Sequence, residues 1–156
     1  MPVGSTSNAG KTGRGPIIEV KNLRKEYPVL DETVVALERV NLAIPQGQIC
    51  CIYGESGSGK STLLRCATML ETMDSGEVVY LGKKAAFTGP DGKAVYAPKK
   101  ELKEIQGQYG LVFQNFNLFP HYSVLKNIID APIHVQKREK DQVIREAREL
   151  LKKMGL

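Results

Sequence analysis

Nine consecutive residues, Gly54-Glu55-Ser56-Gly57-Ser58-Gly59-Lys60-Ser61-Thr62, carry the densest chemical signal in the chain. They fit the spacing Gly, four residues, Gly, Lys, then Ser or Thr. Each part has a physical task in holding a polyphosphate. Glycine admits positive φ and lets the backbone curl tightly. The amides from Gly57 to Ser61 then point inward as a nest of donors. A helix starting here adds its unpaired N–H groups and the positive end of its dipole. Lys60 places an ammonium against the β and γ phosphates, and Ser61 offers a hard oxygen to Mg²⁺. Four fixed positions match by chance in a chain of this length on the order of 1% of the time. The loop is therefore expected to bind a nucleoside triphosphate, ATP with Mg²⁺, through residues 54–62.

Such a loop needs a strand leading in and a helix leading out. Residues 48–53, Gln-Ile-Cys-Cys-Ile-Tyr, are nearly all apolar and predict a strand buried on both faces. Leu63, Ala67 and Leu70 recur at helical spacing and predict a helix over 59–70. Upstream, residues 17–20, 34–37 and 40–44 read as short strands of an antiparallel sheet, the last ended by Pro45-Gln46-Gly47. Downstream, residues 76–80 predict a strand, 82–100 an extended hairpin or surface insertion, and 110–113 a second buried strand. Ser123 is placed to cap a helix over 124–130 that Pro132 ends. Val143, Ala147, Leu150 and Met154 mark one face of a final helix over 138–154, with Gly155 at its cap. Residues 1–15 read as a disordered tail. Gly10-Lys11-Thr12 within it imitates the end of a phosphate loop, but Ser5 stands where the first glycine belongs.

The 156 residues are 42% hydrophobic and 25% charged, which predicts a globular domain. No apolar run reaches the ~18–20 residues of a membrane span, and no signal-peptide stretch is present, so the cytosol is the expected compartment. The net charge of +5 is scattered among acids, which argues against nucleic acid as a partner. Cys50, Cys51 and Cys66 lack metal-site spacing and are expected as buried core thiols.

From about Ile17 to Leu156 the sequence resembles the nucleotide-binding subunits of ABC transporters, most closely those of polar amino-acid uptake. Three features beyond the loop carry the resemblance. Tyr27, in Asn22-Leu23-Arg24-Lys25-Glu26-Tyr27, matches the aromatic residue that stacks on adenine. On its own it reads as a half-buried strand tyrosine. Gln114, in Gly110-Leu111-Val112-Phe113-Gln114-Asn115-Phe116, matches the Q-loop glutamine that reaches Mg²⁺ and the attacking water. The apolar Phe116, Leu118 and Phe119 then face either a membrane subunit or the core of a helical subdomain. Val124-Leu125-Lys126-Asn127-Ile128 with Ala131-Pro132-Ile133, and the insertion over 82–100, match the polar amino-acid group. Two positions depart from the family. Glu55 replaces a frequent proline, and Lys126 stands where an acid often completes the Ser123 cap.

The resemblance implies an α/β fold: a P-loop NTPase (RecA-like) core with an N-terminal antiparallel β subdomain and the start of a helical subdomain, incomplete. It implies a tail over 1–15 and a partial nucleotide-binding domain over 16–156, with the Q-loop around 114 and the helical subdomain beginning at 115. Lys60 and Gln114 become catalytic, Ser61 and Gln114 metal ligands, and Tyr27 with residues 54–62 the ATP site. Permease subunits and a second ATP-binding subunit become partners at the cytoplasmic membrane face. The family's signature motif, acidic strand and catalytic glutamate do not occur after Gln114, and neither His121 nor His134 falls where the switch histidine belongs. The expectation is thus a fragment or early-ended copy of an importer ATPase, with a module that binds Mg-ATP without hydrolysing it as the alternative. A small-molecule kinase would need an arginine-rich lid, and only Arg138, Arg145 and Arg148 cluster. A DNA-repair type would need coiled-coil insertions, and none occurs.

Overall fold

The computed structural model describes residues 15–156; the expected tail and the imitation loop lie outside or at the border of that range. The chain divides into two compact units, one ending at Leu111 and the other running from Val112 to Leu156.

The first unit is built on two long strands, β1 (Pro16–Val29) and β2 (Glu32–Pro45), joined by a tight turn. The expected separate strands over 34–37 and 40–44 are one strand. Helix α1 (Lys60–Ala67) follows, then β3 (Ser75–Tyr80), β4 (Lys83–Thr88), β5 (Ala94–Tyr96) and α2 (Lys99–Gln106). The strands form one antiparallel sheet in the order β2-β1-β3-β4-β5. The hairpin expected over 82–100 is thus β4 and β5. Helix α2 is additional. Its Lys-Lys-Glu-Leu-Lys-Glu-Ile-Gln sequence shows only Leu102 and Ile105 as an apolar pair, too few to predict a helix, yet Ile105 is buried in the core.

The core joins Leu63, Cys66 and Ala67 of α1 to Val20, Leu23, Val78 and Tyr80 of the sheet. The buried face of α1 therefore includes Cys66 where Leu70 was expected. The helix stops three residues early because Met69 turns left-handed, at φ 56°, and Leu70 is exposed. Burial pushes the Cys66 thiol up to about 11, so it stays a neutral core group. Gly76 is where β3 meets the irregular stretch of β1. At φ 121° it brings its backbone so close that an added Cβ would lie 2.7 Å from Leu23 Cα and 2.9 Å from the Lys21 carbonyl oxygen.

Neither buried strand expected beside the phosphate loop is formed. Residues 48–53 make no ladder, and Ile49 and Tyr53 are 95% and 94% exposed. Residues 110–113 are likewise unpaired, with Val112 exposed. Apolar composition makes a segment fit to be a central strand, but the strand exists only when a neighbour takes its N–H and C=O groups. No partner occurs among the described residues. Cys50 and Cys51 are consequently exposed, not buried as expected.

In the second unit, α3 (Val124–His134) packs on α4 (Lys140–Lys153), with Val143 and Ala147 buried. Ser123 caps α3 as expected, its Oγ accepting from Lys126 N–H at 3.2 Å. Pro132 does not end the helix, which runs on to His134. A proline one turn from the C-terminus removes a single bond, to the Ile128 carbonyl, and the last turn survives. Gly155 takes its expected left-handed place after α4, at φ 78°. Glu139 caps the start of α4, accepting from the N–H groups of Asp141 and Gln142 at 2.8 and 2.7 Å.

These contacts set the cost of changing them. Gly76→Ala should destabilise the first unit by about 3 kcal/mol, seen as a lower urea midpoint, because backbone on three sides cannot yield. Gly92→Ala, at φ 77° but with open space around it, should cost only about 1 kcal/mol. The two backbone N–H groups hold the Glu139 carboxyl below its ordinary range. A lowered folded-state value stabilises above the ordinary glutamate range and is lost as pH falls through the folded value. Helical circular dichroism of the wild type should fall in that acid window, and Glu139→Ala should flatten this part of the curve.

Candidate functional site

The glycine loop sits at the start of α1. Gly54, Gly57 and Gly59 all have positive φ, at 155°, 81° and 88°. Gly59 occupies the N-cap, makes no side-chain cap bond, and is followed by a first turn with no acidic residue. The orphan donors of this helix end are thus left to the loop and to whatever the loop holds. Leu63, one turn in, is buried and donates its N–H to the Gly59 carbonyl at 2.8 Å, which fixes the loop to the core.

Gly59 also rests against β2. A Cβ there would lie 2.6 Å from the Ala36 carbonyl oxygen and 3.0 Å from Leu37 Cδ2. The pairing of β1 and β2 slips at this point. Lys25 faces Leu37 and Glu26 faces Val35, leaving Ala36 as an extra, bulged residue. A bulge bends the strand and re-aims its groups, and here the loop seats on it.

The Lys60 ammonium spends its three protons on the loop itself. It donates to the Gly54 carbonyl at 2.9 Å, the Glu55 carbonyl at 2.6 Å and Ser58 Oγ at 3.3 Å. Ser58 N–H in turn donates to the Glu55 carbonyl at 3.3 Å. The cation therefore lies along a ring of neutral acceptors. Anionic phosphate oxygens are stronger partners for an ammonium than carbonyls are, so a polyphosphate can compete for it. The donor set of glycine amides, ammonium and the exposed Ser61 hydroxyl fits a magnesium-bound triphosphate. Glu55, the departure from the family pattern, is exposed and contributes only its carbonyl to these bonds.

Tyr27 lies on β1 opposite Val34, two residues from the bulge on which Gly59 rests. It is half-buried, and Lys25 Nζ stands 5.0 Å from its ring centroid. Lys25, itself buried, is balanced by Glu71 at 3.5 Å and Asp74 at 3.8 Å. Tyr27 and the loop residue Gly59 thus lie against the same strand pair. Gln114 belongs to the second unit and is exposed. So are Phe116, Leu118 and Phe119, at 90%, 62% and 54%. Phe119 and Tyr122 are packed at 5.0 Å, and Asn127 ties that corner down, accepting from Phe119 N–H at 2.8 Å and donating to the carbonyls of Phe119 and Ser123.

Sequence reasoning missed the supports: the Ala36 bulge, Lys25 beside Tyr27, and the corner-binding role of Asn127. Only Asn127 carried a local signal, a small polar residue in the first turn of a largely apolar helix. A cavity of 620 Å³ opens elsewhere, between Asn22, Arg24, Glu38, Arg39 and Thr88. It includes no glycine-loop residue, and Arg24 and Arg39 are already paired with Glu38.

A family model described as "ABC transporter" matches residues 37–156, most of the chain. The chain is 39% identical over 140 residues to the arginine transport ATP-binding protein ArgV of Corynebacterium glutamicum, covering 90% of this chain and 54% of that one. It is 40% identical over 139 residues to the L-cystine transport system ATP-binding protein TcyN of Escherichia coli, covering 89% and 52%. Among solved structures, the dimeric ABC transporter cassette MJ0796 matches with a TM-score of 0.70 at 34% identity, covering 86% of this chain and 56% of that chain. The chain spans about half the length of the curated relatives it matches. With sequence, α/β fold and loop in agreement, the chain belongs to the ABC transporter family of ATP-binding cassettes.

Proposed function

We propose that this chain is the nucleotide-binding part of an ATP-binding subunit that powers import of polar amino acids. The observation that carries the reading is the glycine loop at the start of α1, whose lysine ammonium is presented on a curl of positive-φ glycines. The relatives support the transport role, since ArgV and TcyN are named for arginine and L-cystine transport.

In this reading residues 54–62 bind the phosphates and Tyr27 stacks on adenine, an interaction of ~1–3 kcal/mol that tolerates any base. Ser61 and Gln114 hold Mg²⁺, which neutralises charge on the phosphate oxygens when bound. Lys60 exchanges its carbonyl partners for phosphate oxygens, and its charge favours the more negative transition state of phosphoryl transfer. Gln114 orients the attacking water, placing Lys60 and Gln114 as the catalytic residues this chain supplies. The nucleotide-binding domain extends over 16–156, with residues 115–156 as the start of the helical subdomain. The exposed Phe116, Leu118 and Phe119 suit a protein partner better than solvent, and a membrane-spanning permease subunit is that partner. A second ATP-binding subunit completes the assembly, in line with the dimeric cassette that the chain resembles. In this reading the permease holds the chain at the cytoplasmic membrane face; among the described residues no helix is long and apolar enough to cross a membrane.

Binding and turnover test this reading separately. Isothermal titration should show Mg-ATP binding that Lys60→Ala weakens at least about tenfold, the loss of one charge-assisted contact set; equal affinity would remove the reading. ATPase turnover that Lys60→Ala abolishes would establish hydrolysis by the chain itself, whereas binding without turnover would make it a nucleotide-binding module. Gly59→Ala should also lose binding, because the added methyl meets the Ala36 carbonyl and lifts the loop from its seat.

A further inference from the structure

Lys25 is an unusual residue to find inside the first unit. Its side chain is only 9% exposed, a degree of burial that lysine reaches only when paired. Desolvating an ammonium is costly even with partners, and a well-packed apolar residue of similar volume is often no less stable. Stability alone therefore accounts poorly for a charge at this place. What the charge touches is more telling. Nζ lies 5.0 Å from the centroid of the Tyr27 ring, two residues further along β1.

The ammonium is held by residues that also hold the main chain around it. The ladder between β1 and β3 ends at the pair Arg24–Ser75. Just before Ser75, Asp74 takes over from the ladder. Its N–H donates to the Arg24 carbonyl at 3.0 Å, and its Oδ2 accepts from Glu26 N–H at 2.6 Å. Its Oδ1 stands 3.8 Å from Lys25 Nζ, and Glu71 Oε1 lies 3.5 Å from the same ammonium. One aspartate thus grips three successive residues of β1. Asp74 is itself fixed, because its carbonyl accepts from Ala94 N–H at 2.8 Å. The result is an anchored cation beside a half-buried ring. A cation against an aromatic face attracts it. A ring ordered in this way before a ligand arrives loses less freedom on binding, and that saving appears as affinity.

We propose that Lys25 is a positioning residue for base recognition: its ammonium, anchored by Glu71 and Asp74, holds the Tyr27 ring in the orientation that stacks on the base. The inference rests on the reading of Tyr27 and residues 54–62 as the nucleotide site. Its effect is confined to the base half of the ligand. The phosphate half belongs to Lys60 and the glycine loop, whose hydrogen bonds do not involve Lys25.

Isothermal titration with two ligands tests this: Mg-ATP, and Mg-tripolyphosphate, which has the phosphate chain and no base. Lys25→Met removes the charge and keeps an unbranched apolar side chain. It should weaken Mg-ATP binding about three- to tenfold and leave Mg-tripolyphosphate at the wild-type affinity. In a Tyr27→Ala background the same substitution should weaken Mg-ATP no further, since the ring it orients is gone. A merely structural Lys25 would lower the melting temperature and shift both ligands together, and that result overturns the proposal. So does a Lys25→Met chain that binds Mg-ATP like wild type, or one that loses the same affinity with and without the Tyr27 ring. Should Lys25→Met fail to fold, Glu71→Gln loosens the same ammonium from a side chain that is 30% exposed. It should show the same split between the two ligands, and a shift shared by both, or no shift, overturns the proposal. A Tyr27→Ala chain with wild-type affinity for Mg-ATP removes the stacking role and the positioning role with it. A wild type that binds neither ligand instead removes the nucleotide-site reading.

Discussion

The close approach of Gly59 to the backbone of β2 is the contact on which the site geometry depends. Only a residue without Cβ can bring the helix start within reach of the Ala36 carbonyl and do so at φ 88°. That seat, together with the burial of Leu63, Cys66 and Ala67, settles where α1 begins and which way its N–H groups point. Lys60 and Ser61 inherit their positions from it. The bulge at Ala36 makes the seat, so an irregularity in strand pairing well upstream shapes the loop.

Around this contact the first unit is organised by hydrogen bonds from side chains to backbone as much as by apolar packing. Thr88 Oγ1 bridges both main-chain groups of Gly76. Tyr96 accepts from Met73 N–H at 2.8 Å, and Tyr80 and Tyr109 cap the α1 carbonyls. No buried side-chain polar atom is left without a partner among the described residues. A half-satisfied network would cost more than an apolar core, so such sites specify one arrangement. The sheet and the helix that carries the loop are thereby locked to each other at both helix ends.

Much of this is legible in the sequence, and the departures share a cause. The loop, the helix after it, the antiparallel strands, the Ser123 cap and the Gly155 terminus all rest on local rules: spacing, capping and turn chemistry. Residues 48–53 and 110–113 mislead because apolar composition states what a strand would bury and says nothing of whether a neighbour is there to pair with it. Helix α2 is hidden because its charged surface leaves only a two-residue apolar face. Pro132 misleads because the cost of proline depends on its distance from the helix end. The Ala36 bulge and the tyrosine caps join residues far apart in sequence, and no local pattern encodes such pairs.

The exposed run Ile49-Cys50-Cys51-Ile52-Tyr53 has a consequence of its own. It has no charge, no proline and no glycine, and its main chain is free of any ladder. Those are the traits of a segment that templates strand addition by another polypeptide. Such a run favours association at the surface whatever the quality of the interior. A protein can be well packed and still be adhesive.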